Sequence, residues 1–270
     1  MARRSRCAAY RRQVGRGACV ISVLLAVASG AASGSEPSGH EIIVRMQHAR
    51  LAGNEDASSV VRVEIASSSG DQTTRTVAMY RRQCGDEFRN LVVFRDPPDL
   101  SGAALLTSSR PDRRPDMWMY LPELGRVRQL NAFAQSENFM GSDLTYEDLG
   151  TIAIDGRTHR FLTEAELDGE PVYKVESQPS PSEPWSRVVS WVSRASFLPV
   201  RIEYFDRVGA LVRVARFGDV RTVRGIPTAF SIEMENAETG HRTTLTLLEA
   251  DYFRDLDCDL FREEHLARLR

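Results

Sequence analysis

Three small groups of residues carry side chains that could do chemistry. The run Gly141-Ser142-Asp143 offers a serine hydroxyl, and the pairs Asp116/Glu123 and Glu147/Asp148 offer carboxylates for acid–base work. A serine nucleophile needs a general base within hydrogen-bonding reach. The chain has five histidines, His40, His48, His159, His241 and His265. None of them lies in a motif that marks a base, and solvated surface acids are far commoner than catalytic pairs, so we expect no catalytic residues and no enzyme.

Short motifs of the common enzyme classes are also missing from the sequence. It contains no G-x-S-x-G elbow, no H-E-x-x-H pair, no Walker loop and no dinucleotide fingerprint. The histidines are scattered, without a pair at the spacing of metal ligands. We therefore expect neither a metal nor a cofactor.

A structural interpretation of Gly141-Ser142-Asp143 fits better than a catalytic one. Ser142 or Asp143 is the kind of residue that caps a helix. The acidic residues that follow, among them Asp148, have the charge that is favoured near a helix N-terminus. Gly141, Ser142, Asp143 and Asp148 are therefore predicted to form a structural motif.

The element just upstream has apolar side chains on both faces. In an extended strand over residues 117–121, Trp118 and Tyr120 share one face, while Met117, Met119 and Leu121 share the other. A sheet with one face in water would alternate apolar with polar residues, so each face here must be covered. With Phe139 and Met140 in a nearby loop, the pattern is typical of the wall and lip of an apolar cavity, or of an ordinary thick core.

Most of the remaining chain has the period of two that is typical of β-strands. The predicted strands are Val60–Ser67, Thr73–Arg82, Glu87–Arg95, Ala103–Ser108, Met117–Leu121, Arg126–Leu130, His159–Leu167, Pro171–Gln178, Val188–Ser193, Val200–Asp206, Leu211–Phe217, Asp219–Val223, Thr228–Asn236 and Arg242–Asp251. Helices are predicted over residues 41–51, 143–149 and 259–268. Short strands joined by tight turns indicate a mainly β protein, an antiparallel meander curled into a barrel.

Residues 1–34 are predicted to be a signal peptide, followed by one domain over residues 35–270. Six arginines precede a short apolar run, and small residues follow it. The whole chain has 35 basic and 37 acidic residues, so removing these six arginines leaves 29 basic residues against 37 acidic ones. An acidic protein of this kind is a poor partner for nucleic acid or for anionic lipid surfaces.

Two cysteines, Cys84 and Cys258, remain after this segment is removed. Export to an oxidising compartment would allow them to form a disulfide. Spacing alone does not decide the question, because a bridge requires Cα atoms within about 7 Å.

Three blocks of the sequence resemble a known family, the LolA-like outer-membrane lipoprotein-sorting proteins. The blocks are Phe94–Leu106, Trp118–Pro122, and Phe139-Met140-Gly141-Ser142-Asp143 with Tyr146-Glu147-Asp148. The resemblance extends over roughly residues 42–266. It concerns a divergent branch of the family, not the lipoprotein carrier after which the family is named.

The resemblance implies an incomplete antiparallel barrel of about eleven strands, with helices over its open side and a concave apolar face that holds acyl chains. The residues that we expect at the cavity or its mouth are all large and apolar: Trp118, Tyr120, Phe139, Met140, Trp191, Phe230, Ile232 and Met234. Their types suit an adaptable pocket.

Two functions from different classes follow from this interpretation. The first is a monomeric periplasmic carrier that binds the acyl chains of a lipid or lipoprotein in an apolar cavity and hands the cargo towards the outer membrane without any reaction. The second is a non-catalytic accessory subunit that docks on an inner-membrane RND-type lipid exporter through the barrel rim or the Phe139-Met140 loop. A hydrolase built on Ser142 is a third and weaker hypothesis.

Overall fold

Thirteen strands form one antiparallel sheet. The computed structural model describes residues 36–51, 56–110, 113–149, 157–179 and 183–269. The first six strands are β1 (Asp56–Ala66), β2 (Gln72–Cys84), β3 (Glu87–Asp96), β4 (Ala104–Arg110), β5 (Arg113–Leu121) and β6 (Arg126–Gln129). The other seven are β7 (Thr158–Leu167), β8 (Glu170–Gln178), β9 (Arg187–Ser193), β10 (Pro199–Phe205), β11 (Leu211–Val223), β12 (Ile226–Asn236) and β13 (Arg242–Tyr252).

Strands that are consecutive in the chain are also neighbours in the sheet, except for β6 and β7. Those two strands lie at opposite edges, and β1 pairs with β13 in the middle. Within the described residues the edges do not pair, so the sheet is not closed. The prediction of an incomplete antiparallel barrel is confirmed, with thirteen strands where the family resemblance implied about eleven.

The predicted turns follow from local backbone chemistry. Between β7 and β8, Leu167 pairs with Glu170, and the two loop residues Asp168 and Gly169 have φ of 52° and 84°. Positive φ at both central positions is what the two-residue hairpin turn requires. The predicted break at Gly218 was wrong: β11 runs unbroken through this residue, where the sequence predicted two strands.

Helix α1 (Gly39–Leu51) covers one part of the sheet. It begins with a capping box, since Glu41 N donates to Ser38 Oγ and Ser38 N donates to Glu41 Oε2. Its buried face, Ile42, Ile43 and Met46, packs against strands β8 and β9. The second α-helix, α2 (Ala132–Gln135), is a single turn.

The C-terminal segment consists of two 3₁₀ helices, Cys258–Phe261 and Glu263–Arg268, where the sequence predicted one α-helix. Arg262 between them has an extended backbone, which interrupts the helix. Cys84 at the end of β2 and Cys258 form a disulfide, with Cα atoms 5.9 Å apart. The C-terminal segment is thereby attached to the sheet.

Both faces of β5 are covered, as the sequence predicted. We call the face under α1 the inner face of the sheet, and the other the outer face. On the inner face, Met117 and Met119 are buried in one apolar cluster. On the outer face, Trp118 and Tyr120 pack in a second cluster with Phe261 of the C-terminal segment.

All of this architecture lies within one compact unit, Pro37–Arg270. The predicted signal peptide, residues 1–34, falls outside the described residues and stays a prediction. Among the helices of the described part, none combines the length and the apolar character needed to cross a lipid bilayer.

Candidate functional site

A cavity of about 220 Å³ lies on the inner face of the sheet. It exceeds the engineered cavity of about 150 Å³ that binds benzene in another protein, and is smaller than the pockets of about 300–1,000 Å³ that enclose drug-sized ligands. Its walls are mostly aliphatic and aromatic side chains, among them Val61, Val63, Val77, Met79, Val92, Ile202, Phe217, Phe230, Ile232, Met234, Leu245 and Leu247. A cavity of this size and lining fits one narrow apolar chain.

The chain between β6 and β7 forms the cover of this cavity. We call its described part, residues 131–149, the crossing segment. It leaves one edge of the sheet and contributes Phe139, Leu144, Asp148 and Leu149 to the cavity wall. The ring of Phe139 lies against Phe94 of β3, with centroids 5.7 Å apart. The segment therefore spans the inner face, since its side chains contact strands from both halves of the sheet.

Asp143 attaches the crossing segment to β13. Its backbone nitrogen donates to Thr243 Oγ1 at 2.8 Å, and the same hydroxyl donates to Asp143 Oδ2 at 2.8 Å. The other partner of Oδ2 is His241 Nδ1 at 2.7 Å. With a side chain only 4% exposed, Asp143 would lose these bonds at high cost if the segment moved.

Asp148 attaches the same segment to β11. Arg213 Nη2 donates to Asp148 Oδ2 at 2.6 Å, and the arginine also lies over the rings of Trp185 and Tyr204. Burial acts to lower the pKa of Arg213, but attraction by Asp148 and Tyr204 outweighs it, so the pKa is raised. Burial, with Asp148 nearby, raises the pKa of Tyr204 to about 12. The guanidinium is thus held charged at an apolar site.

The helix cap in this segment differs from the prediction. Asp148 N donates to Thr145 Oγ1, while Asp148 Oδ2 accepts from both Thr145 N and Thr145 Oγ1. Thr145 is therefore the cap of the 3₁₀ helix Glu147–Leu149, and the expectation that Ser142 or Asp143 fills that role was wrong. Ser142 Oγ donates to the Phe139 carbonyl oxygen at 2.7 Å and is buried. Both residues keep a structural role, in the turn and in the anchor to β13.

One end of the cavity is polar. The strand register places Tyr252, Ala57, Arg81 and Asn90 in a lateral row across β13, β1, β2 and β3. Arg81 Nε donates to Asn90 Oδ1 at 3.3 Å, and Asn90 Nδ2 donates to the Leu149 carbonyl oxygen at 2.7 Å. Burial and the neighbouring Arg50 lower the pKa of Arg81 to about 10. The site therefore joins an apolar body to a positively charged end.

Four of the eight predicted cavity residues line the cavity. They are Phe139 in the crossing segment and Phe230, Ile232 and Met234 on β12. The three strand residues share a face because they alternate along β12, as the sequence predicted. Whether any of them binds a lipid stays a prediction.

The other four lie elsewhere. Trp118 and Tyr120 face outward and are covered by the C-terminal segment. Trp191 lies on the outer face of β9, with the ammonium group of Lys174 4.1 Å from its ring centroid. Met140 packs beside the inner cluster, and its carbonyl oxygen accepts from Arg75 Nη1 at 2.6 Å. The predicted placement of these four residues on the cavity wall is corrected. Trp118, Tyr120 and Trp191 were misplaced because an apolar residue type does not reveal which face is the inner one, whereas Met140 lies on the inner side but outside the cavity lining.

Sequence reasoning missed the polar end of the cavity. Arg81 follows Val77 and Met79 at every second position of β2, and this alternation puts it on the inner face. The sequence therefore did contain a signal for the polar end: a charged residue, Arg81, follows the apolar inner-face residues Val77 and Met79 of β2. Among the described residues, no three His, Cys, Asp or Glu side chains come together as metal ligands.

Comparison with known proteins gives consistent results. A family model described as "uncharacterized protein" matches residues 86–268. No protein of curated function matches the chain. Among solved structures, an outer membrane lipoprotein-sorting protein domain from Vibrio parahaemolyticus is 27% identical with a TM-score of 0.80, and the match covers 85% of this chain and 98% of that one.

Two further structures show the same architecture. A DUF1329 family protein from Desulfovibrio piger is 27% identical with a TM-score of 0.79, over 84% of this chain and 97% of that one. A LolA superfamily protein from Nitrosomonas europaea is 19% identical with a TM-score of 0.69, over 85% of this chain and all (100%) of that one. The last likeness concerns the fold alone.

Proposed function

The chain belongs to the LolA-like outer-membrane lipoprotein-sorting family, and we propose that it is a periplasmic carrier of acyl chains. In this role it holds the chain of a lipid or lipoprotein in the inner-face cavity and hands it towards the outer membrane. The fold supports this proposal, because a solved structure with the same fold is described as an outer membrane lipoprotein-sorting protein domain. The leader predicted over residues 1–34 supports export to the periplasm.

The single observation that carries the proposal is the covered apolar cavity. Its lining comes from strands of both halves of the sheet together with the crossing segment. Shielding an acyl chain from water contributes about 0.8 kcal/mol per buried methylene. Ordering the chain and admitting it under the crossing segment offset part of that gain. Transfer then requires only a difference in affinity between donor and acceptor, without any reaction.

Release from the periplasm followed by lipid extraction and mass spectrometry tests this function. We expect the purified protein to carry stoichiometric acyl chains. In the variant Ile232→Trp the larger side chain should fill the cavity and reduce the lipid load severalfold. Ser231→Trp is the matched control, because Ser231 is the adjacent residue on the opposite face of β12.

The two variants separate loss of the cavity from loss of the fold. Both should keep the circular dichroism of the wild type, and Ser231→Trp should keep its lipid. The proposal would be overturned if the purified wild-type protein carried no lipid and also failed to take up added acyl chains.

A second candidate function has one observation in its favour. Phe133, in helix α2 of the crossing segment, is 77% exposed, and large exposed apolar side chains often mark docking sites. An accessory subunit of an inner-membrane lipid exporter would use such a residue, since Phe139, at 6% exposed, is buried in the core. Photo-crosslinking from position 133 to a membrane transporter, in cells whose protein carries no lipid, would favour this function.

A further inference from the structure

The polar end of the cavity consists of side chains with hydrogen-bonding groups. Arg81 of β2 and Arg50 of α1 both line it, together with Thr228 and Tyr252. The hydroxyls of Thr228 and Tyr252 bond to each other at 2.9 Å. Along β1 the inner-face residues after Ala57 are Ser59 and then the apolar Val61 and Val63. The cavity thus changes from polar to apolar along the strand direction.

Arg81 is the charged group of this end that lacks a carboxylate partner. Within the part of the chain that the structure describes, its hydrogen bond goes to the neutral amide of Asn90, and no Asp or Glu lies within ion-pair distance. Burial, together with the like charge of Arg50, lowers the pKa of Arg81 to about 10. The side chain therefore stays charged at neutral pH in a setting that disfavours the charge.

Among the described residues of the cavity wall, the one carboxylate, Asp148, is already engaged. Asp148 accepts hydrogen bonds from Arg213 and from Thr145. Its negative charge is therefore balanced by the guanidinium of Arg213 on β11. An anion that enters beside Arg81 would supply the missing countercharge and accept hydrogen bonds from the guanidinium. A guanidinium that lines an apolar cavity in this way favours carboxylate or phosphate oxygens, which match its planar set of donors.

The dimensions of the cavity fit a headgroup and one chain. From Ala57 to Val63 the wall runs for six residue steps, which corresponds to roughly 20 Å at about 3.3 Å per residue. An acyl chain in one leaflet spans half of the hydrocarbon core, roughly 15 Å. A chain that begins at Arg81 would therefore fit within the length of the apolar wall, in the direction of Met234 and Leu245.

We propose that the cavity selects an amphiphile with an anionic headgroup, a carboxylate or a phosphate monoester, which Arg81 binds while the single acyl chain lies along the apolar wall. This assignment rests on the proposed carrier function and narrows its cargo. Arg50 lies beside the bound headgroup and adds positive charge. When Thr228 donates to the Tyr252 hydroxyl, Tyr252 can donate its own proton to one of the remaining oxygens.

Isothermal titration calorimetry on the delipidated full mature chain tests the assignment with four probes. Dodecanoate and dodecyl phosphate carry both chain and anion, dodecanol carries the chain alone, and inorganic phosphate carries the anion alone. We expect the two anionic amphiphiles to bind at least tenfold more tightly than dodecanol, since charge-assisted hydrogen bonds contribute about 1.5–3 kcal/mol. Inorganic phosphate should not bind measurably at millimolar concentration.

Three variants locate the effect. Arg81→Gln should remove the preference for the anion and leave the affinity for dodecanol within about threefold of wild type. Arg81→Lys should restore part of the preference, because it keeps the charge but not the planar fork. Arg62→Gln is the matched control, since Arg62 is an exposed arginine on the opposite face of β1, and it should bind all four probes as the wild type does.

The outcomes separate this assignment from the carrier function itself. If dodecanol binds as tightly as dodecanoate, or if Arg81→Gln weakens both alike, the headgroup assignment fails while the carrier function stands. If inorganic phosphate binds as tightly as dodecyl phosphate, the site recognises free anions and the assignment fails. If no probe with a chain binds to the wild type, both the assignment and the carrier function fail.

Discussion

Arg213 and Asp148 form a buried ion pair that connects the start of β11 to the crossing segment, with 2.6 Å between Nη2 and Oδ2. Their side chains are 9% and 16% exposed. A pair in this position fixes the cover of the cavity relative to the sheet. It also leaves a costly unpaired charge if either partner is removed.

We expect Arg213→Leu to lower the free energy of unfolding by about 3 kcal/mol, because Asp148 would then be left charged and buried. Adding Asp148→Asn to Arg213→Leu should recover part of this loss. Urea unfolding of the two single variants and the double variant measures the coupling. Arg194→Ala at the exposed pair Arg194–Glu164 is the control, with an expected cost below about 1 kcal/mol. Equal losses at the two sites would contradict a structural role for the buried pair.

Glu87 should make stability depend on acid pH. A hydrogen bond from Ser108, with further contributions from Arg89 and Arg110, lowers its pKa from 4.5 to about 2. A carboxyl whose pKa is lowered by folding stabilises the protein above its unfolded pKa, and this contribution is lost as the pH falls from about 4.5 to 2.

The variant Glu87→Gln should therefore cost about 2–3 kcal/mol at pH 7 and much less at pH 2, at about 1.4 kcal/mol per pKa unit. Thermal or urea unfolding across that pH range measures the difference. Glu64→Gln, at an exposed position of β1, should change stability by less than about 0.5 kcal/mol at either pH. A constant difference between Glu87→Gln and wild type at all pH values would rule out the linkage.

Gly39 permits a close approach of α1 to β7. A Cβ at this position would lie 2.6 Å from the backbone nitrogen of Phe161 and 2.7 Å from the carbonyl oxygen of His159. Backbone atoms cannot move aside as a flexible side chain can, so Gly39→Ala should cost about 1–3 kcal/mol through displacement of α1. Gly218→Ala is the control, since a Cβ there meets nothing within 4 Å. Similar unfolding free energies for the two variants would argue against tight packing at Gly39.

The disulfide should stabilise the fold by closing a long loop. Cys84 and Cys258 are 174 residues apart in sequence, and chain-entropy arguments give up to about 5 kcal/mol for a loop of that length, with about 2–4 kcal/mol typical. The double variant Cys84→Ser/Cys258→Ser should lose stability by this amount in urea unfolding. Reductant should lower the wild type to the same level and leave the double variant unchanged. A reductant effect on the double variant would show that the loss has another origin.

Local sequence patterns were sufficient to predict the strands and the first helix. Alternation in β12 placed Phe230, Ile232 and Met234 on one face, because successive side chains of an extended backbone must point to opposite sides. The Asp168-Gly169 turn was predictable for the same kind of reason, since few residues tolerate positive φ. The C-terminal helix was wrong because its interruption at Arg262 has no strong breaker residue.

The candidate site was predictable only in part. Trp118 and Tyr120 are as apolar as the residues that line the cavity, yet the C-terminal segment covers them from outside. No sequence motif surrounds Arg81. Its position on the inner face becomes a sign of a polar end only because Arg50 of α1 lines the same cavity. Both facts depend on contacts between residues that are far apart in the chain.

The sequence by itself determined which residues share a face of each strand, since that follows from backbone geometry over a few residues. It also determined that both faces of β5 must be covered, because apolar side chains on each side cannot remain in water. Only the tertiary structure decided which cover lies over which face: the crossing segment inside and the disulfide-linked C-terminal segment outside. The reason is physical, because burial depends on contacts between distant segments, and an apolar side chain is stabilised equally by either cover.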